Sequence, residues 1–232
     1  MLVAIFGTTI SPYLFFWQTS QEVEEEVTSG RHAAVKKRGA NSKEILLRKY
    51  DVVIGMFFSN LVMFFIILTN ALTLNKNHFT QIQTSREAAE ALAPLAGSFA
   101  SHLYAFGLIG VGLLAIPTLT SSAGYAFAEA FQWREGLDVK WAQAKSFYGV
   151  IVASTVIAIA FNFLHVNAMK ALYMSAVVNG VLAPFLLVGI FFVVRDRVIM
   201  KGQVSSAVGQ VTLGLCALIM FAAAAAMFFI GD

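Results

Sequence analysis

Charge is what this sequence has least of. Charged residues fill 12% of its 232 positions and hydrophobic residues 58%, whereas an ordinary soluble domain carries about 25% charged residues. That balance excludes a soluble globular protein and places the chain in a bilayer. Cysteine is scarcer still. The one thiol, Cys216, lies in an apolar run, which rules out an intramolecular disulfide and suits a small buried hydrophobe. The opening Met1-Leu2-Val3-Ala4-Ile5-Phe6 has no Lys or Arg to serve as a charged start and no clean small-residue cleavage site after it, so it does not read as a signal peptide. Paired carboxylates, Cys/His clusters, a phosphate-binding loop and a Ser/His/Asp set are all missing, as is an i, i+4 metal partner for His102 or His165. Neither an enzyme nor a bound cofactor is expected. The net charge of +3 is spread between apolar segments, so nucleic acid is not an expected partner.

What is present is a series of apolar segments long enough to cross a membrane, which needs about 20 residues each. The pattern predicts an all-α, polytopic membrane protein with about six transmembrane helices, at residues 2–21 (broken near 11–12), 51–74, 97–127, 146–165, 171–194 and 205–230. A charged loop over 22–50 begins with Glu22, Glu24, Glu25 and Glu26 and continues into Arg31, Lys36, Lys37 and Arg38. The glutamates oppose a helix macrodipole there and are expected to pair with those bases. Ser42–Tyr50 reads as a short amphipathic helix lying on the lipid surface, with Asp51 at the start of the next span. Asn75–Ala96 reads as an exposed polar loop holding a short helix at Ser85–Leu92.

The basic residues are unevenly shared. Thirteen of the sixteen Lys and Arg fall in the loops after the first, third and fifth helices. The positive-inside rule makes that side cytoplasmic and puts both termini outside. Only about ten residues precede Pro12, roughly 15 Å of helix or half a crossing. An outside N-terminus with no signal peptide and a start inside a helix lead to the expectation that an N-terminal half, or a partner chain, belongs in front of this segment.

The stretch Gly7-Thr8-Thr9-Ile10-Ser11-Pro12-Tyr13 carries Gly, hydroxyls and Pro in the middle of an apolar helix. Proline has no N–H to donate and its ring clashes with the carbonyl four residues back. Such an interruption either makes a simple kink or exposes oxygens toward protein or a watery cavity. Other polar groups at depth are Asn60, the run Thr118–Ser122 after Pro117, and Asn179. The hydroxyls after Pro117 would satisfy the carbonyls that proline frees, or else line a polar path. Hard cations accept oxygen ligands of these kinds, but no carboxylate lies at depth to accompany them.

The first stretch, Gly7 to Gln18, resembles the sixth transmembrane segment of Nramp-type divalent metal transporters, whose pattern is Gly-Ala-Thr-Val-Met-Pro-His. Asp51 is similar to the start of that family's next segment. Ala123-Gly124-Tyr125-Ala126-Phe127-Ala128-Glu129-Ala130-Phe131 resembles the end of its eighth, and Ala183-Pro184-Phe185 resembles its tenth. The resemblance implies segments six to eleven of an eleven-helix protein with a LeuT-type fold, carrying a divalent metal cation as substrate. It implies that Thr8 stands where the family offers an Ala carbonyl, Ser11 where it offers a Met sulfur, and Tyr13 where it has His. The family's Asp-Pro-Gly-Asn motif is absent from this chain. A thioether favours softer metals, so Ser11 implies tolerance of hard ions such as Mg²⁺. The candidate metal-lining residues are therefore Thr8, Ser11, Tyr13 and, in an occluded state, Asn179. A LeuT-type transporter of a non-metal solute such as an amino acid, or a membrane subunit without transport activity, stays open as an alternative.

Overall fold

The structure, a computed structural model, describes residues 2–31, 39–72, 87, 97–164 and 166–230. Among these the chain is helical, with no strand. Its helices are α1 (Leu2–Thr9), α2 (Pro12–Thr28), α3 (Ser42–Asn70), α4 (Ala100–Phe131), α5 (Lys145–Phe163), α6 (Ala168–Arg195) and α7 (Ala207–Ile230), with 3₁₀ turns at Gly97–Phe99 and Trp141–Gln143. Stretches of α3, α4, α6 and α7 are long and apolar enough to cross a membrane, while α5 is apolar but shorter over Lys145–Phe161. The chain is a polytopic all-α membrane protein. Neither half of the first helix spans alone: the 8 residues of α1 rise about 12 Å.

The expected loop over 22–50 needs correcting at both ends. Helix α2 runs through all four glutamates to Thr28, and its stop signal is Gly30 at φ 70. There the Gly30 N–H bonds the Val27 carbonyl at 3.0 Å and the Arg31 N–H bonds the Glu26 carbonyl at 2.9 Å. Left-handed glycine closes a helix because it has no Cβ to clash. At the other end, Ser42–Tyr50 is no separate surface helix but the first part of α3, which runs without interruption to Asn70. The Glu44 carboxylate accepts the Asn41 N–H at 2.8 Å and so caps that start. Asp51 accordingly lies inside α3 rather than at its beginning. Residues 32–38, His165, Leu74 and all of the expected polar segment Asn75–Ala96 except Glu87 lie outside the described residues.

The chain divides into two compact units. The smaller, Ala40–Ala115 with Asn167–Met169, holds α3 and the first part of α4. Its long apolar side chains face outward, among them Phe57, Phe58, Phe64, Phe65, Leu113 and Leu114. In it the Asn60 amide donates to the Met56 carbonyl of its own helix at 2.7 Å, not to a neighbouring helix.

The larger unit holds α1, α2, the rest of α4, and α5 to α7. Two buried clusters organise it. Ala183 and Leu187 of α6 meet Ala217 and Met220 of α7, with Phe6, Ile10, Phe15 and the half-buried Cys216 against them. Tyr125 and Ala128 of α4 meet Ala144 and Phe147 at the start of α5, with Trp17 against them. Gly124 is what lets α4 and α5 close up, since a Cβ there would stand 3.0 Å from the Phe147 ring. The two stretches Ala123–Phe131 and Ala183–Phe185 thus each supply one cluster.

Candidate functional site

The broken helix passes from one cluster to the other. Pro12 has no N–H to offer Thr8, four residues back, and Ser11 is extended at φ -91, ψ 111. The chain therefore leaves α1 after Thr9 and starts α2 at Pro12. Proline is well suited to a helix's first position, where its missing donor is not needed.

Where the freed oxygens go decides what the break can do. The Ser11 hydroxyl donates to the Thr8 carbonyl at 3.1 Å and so takes over the role that Pro12 cannot fill. The Thr8 hydroxyl donates back to the Ala4 and Ile5 carbonyls at 3.1 and 2.9 Å, and the Thr9 hydroxyl to the Ile5 carbonyl at 2.8 Å. The Tyr13 carbonyl accepts the buried Ser122 hydroxyl of α4. Among the described residues no donor reaches the Thr9 carbonyl. The break is thus a place where short local hydrogen bonds hold carbonyls and hydroxyls close together while leaving oxygen lone pairs over.

Each half of the break has its own seat. Helix α1 lies backbone-to-backbone on α6. A Cβ on Gly7 would stand 1.9 Å from the Ala176 carbonyl oxygen, and one on Gly180 would stand 2.2 Å from the Val3 carbonyl oxygen. Helix α2 lies on α4 and the segment after it. The Trp17 ring meets Tyr125 edge-on with centroids 6.3 Å apart, and Gln21 donates to the Tyr125 hydroxyl at 3.1 Å.

Thr8, Ser11 and Tyr13 therefore share the break, with Thr8 exposed, Ser11 buried and Tyr13 half-buried. Asn179 is half-buried and adjoins Gly180, at the crossing of α1 and α6. Among the described residues no three of His, Cys, Asp and Glu are placed to hold a metal ion. The oxygens at the break belong to hydroxyls and carbonyls alone.

Sequence reasoning missed two groups. Ser122 was one hydroxyl in a run expected to serve its own helix. Thr120 does so, donating to the Ile116 carbonyl at 2.8 Å, but Ser122 serves α2. Glu24 was expected to pair with a base. Instead its two carboxylate oxygens accept the Leu137 N–H at 2.9 and 3.2 Å, and one also accepts the Tyr125 hydroxyl. Glu25 does reach Arg31, at 3.9 Å and on an exposed surface, where such a pair adds little. Near Glu24, burial and then the charges of Glu129 and Glu24 raise the titration of Glu135 above the ordinary glutamate range.

Residues 1–230 match the family model described as natural resistance-associated macrophage protein-like. No match was found among curated proteins or among solved structures.

Proposed function

The chain belongs to the natural resistance-associated macrophage protein-like (Nramp) family, a family of membrane transporters, and on that premise we propose that it is a secondary transporter of divalent metal cations of the Mn, Fe or Mg type. The observation that carries this reading is the break between α1 and α2, where hydroxyl and carbonyl oxygens gather inside an otherwise apolar helix. Broken helices near the midplane hold the substrate in many secondary transporters. Ser11 supplies a hydroxyl oxygen, and Thr8, Tyr13 and Asn179 line the space around it. The uncommitted Thr9 carbonyl adds a backbone oxygen to the set. An oxygen set without sulfur suits harder ions, so Mg²⁺ and Mn²⁺ are the cations it fits best.

Transport proceeds by alternating access within a LeuT-type arrangement. Helix α1 rests on α6 and α7, while α2 rests on α4 and α5 through Trp17 and Gln21 and meets the α6–α7 cluster near its start through Phe15. Ile10 and Ser11 join them, which favours rocking about the break. The protein sits in the cell membrane among lipid, with the α4–α5 and α6–α7 connections on the cytoplasmic side where Arg134, Lys140, Lys145, Arg195, Arg197 and Lys201 collect.

Calorimetry of the purified full chain with Mn²⁺, Mg²⁺ and a panel of amino acids tests the substrate class. Saturable heat with the metals, weakened at least about tenfold (1.4 kcal/mol) by Ser11→Ala, is expected. Saturable heat with an amino acid and none with either metal overturns the reading.

A further inference from the structure

We propose that Glu24, Glu129 and Glu135 form a proton-operated latch between α2 and the α4–α5 connection, docked when Glu135 carries a proton and released when it is ionised. The latch gathers polar groups from distant parts of the larger unit. Glu24 of α2 holds the Leu137 N–H and the Tyr125 hydroxyl. One helical turn further on, Thr28 is 3.1 Å from Asp138 and donates its hydroxyl hydrogen to it. On the other side the Tyr148 hydroxyl of α5 bridges the Leu137 and Val139 carbonyls at 3.0 and 2.9 Å. Residues 136–139 are thereby clamped between α2 and α5.

Gly136 makes the clamp possible. Its φ of 131 is open to few other residues, and a Cβ there would stand 2.9 Å from the Val139 side chain and 3.1 Å from a Glu24 oxygen. The backbone turns directly onto the Glu24 carboxylate, and this turn draws Glu135 inward. One Glu135 oxygen is buried and has no hydrogen-bond partner among the described residues. The charges facing it are Glu129 from α4 and Glu24 from α2. Arg134 and Asp138 share its own connection but are exposed.

The direction follows from where the charges sit. A protonated Glu135 leaves Glu24 free to bind Leu137 and Tyr125 without opposition from the connection. Once Glu135 ionises, like charges lie on α2, on α4 and on the connection, and the repulsion between Glu135 and Glu24 acts across the contact that the latch makes. Burial, and the charges of Glu129 and Glu24 beside it, make Glu135 hold its proton more tightly than an ordinary glutamate does, and undocking would relieve the burial and the Glu24 charge. The docked state therefore binds more protons, and its stability falls as pH rises through the Glu135 titration. That the latch governs cargo release rests on the transport reading above, but the latch itself does not.

The test uses the full chain with Cys216→Ser and spin labels on cysteines placed at Val27 and Lys140, both exposed. The distance between labels is measured in lipid vesicles from about pH 4 to about pH 8, which spans ordinary and raised glutamate titration. The expected result is a narrow short-distance population at the acid end that shifts to longer distances at the alkaline end. Glu135→Gln, close to isosteric, is expected to stay short throughout, and Glu24→Ala to be long throughout. A parent distribution that ignores pH, or a Glu135→Gln distribution that shifts as the parent's does, overturns the latch. The distance readout needs no flux, so loss of the transport reading leaves it standing, and loss of the latch leaves transport standing.

Discussion

Gly7 and Gly180 show how much one missing carbon can decide. Each would drive a Cβ to within 2.2 Å or less of a backbone oxygen on the opposite helix, and backbone cannot step aside as a side-chain tip can. Gly180→Ala is therefore expected to destabilise the protein by about 1–3 kcal/mol or more, the range for overpacked contacts. Cys216 reports on it directly, because its thiol packs against the cluster that α1 completes. On heating in the presence of a thiol-reactive dye, the variant should label at lower temperature than the parent. Gly110→Ala is the control, since a Cβ there meets nothing within 4 Å. Helix α4 is rich in glycine, with Gly107, Gly110, Gly112 and Gly124, and small residues let helix backbones approach closely. The sequence does not rank these glycines against Gly7 and Gly180, because which face of a helix meets another is a tertiary fact. Ser122 carries the same lesson. Ser122→Ala removes the donor to the Tyr13 carbonyl and is expected to cost about 1 kcal/mol in equilibrium unfolding, whereas Thr120→Ala, which removes a bond within its own helix, should cost less.

The broken helix was legible as an element, because proline states its own effect: no donor, and a clash one turn back. The break falls at Ile10 and Ser11, beside Pro12. The stopping point of α2 was not read correctly. Four glutamates within five residues looked like the start of a loop, yet a helix is ended by its backbone, and this one ends at the left-handed Gly30. The partners of Glu24 were beyond reach for a different reason, since Leu137 lies 113 residues away along the chain. If the break is what makes the site, mending it should abolish function and spare the fold. Ser11→Leu with Pro12→Ala restores a donor to the Thr8 carbonyl and removes the competing hydroxyl. The double variant is expected to keep its helical circular dichroism and lose metal-dependent heat in calorimetry. Undiminished metal binding in a folded double variant would remove the break from the mechanism.

At the scale of the whole molecule, composition was enough to give a polytopic helical membrane protein, and among the described residues four helices long and apolar enough to cross a membrane bear this out. Composition carries that information because a bilayer asks the same of every spanning segment, wherever it packs. The sidedness of the chain is a separate proposal that rests on thirteen of its sixteen bases. It predicts that a membrane-impermeant maleimide applied to intact cells labels Phe99→Cys, at the outer end of α4, and leaves Lys140→Cys unlabelled until the cells are opened, with Cys216 replaced by Ser in both. The reverse pattern would invert the orientation.

Flux is the most direct measure of the central proposal, that oxygens gathered at a helix break carry a divalent cation across. The purified full chain in sealed vesicles is expected to admit both Mg²⁺ and Mn²⁺ down a gradient. Ser11→Met should tilt the ratio toward Mn²⁺, because a thioether replaces a hard oxygen. Folded, membrane-inserted protein that passes neither ion, or whose ion preference is untouched by Ser11→Met, would contradict it.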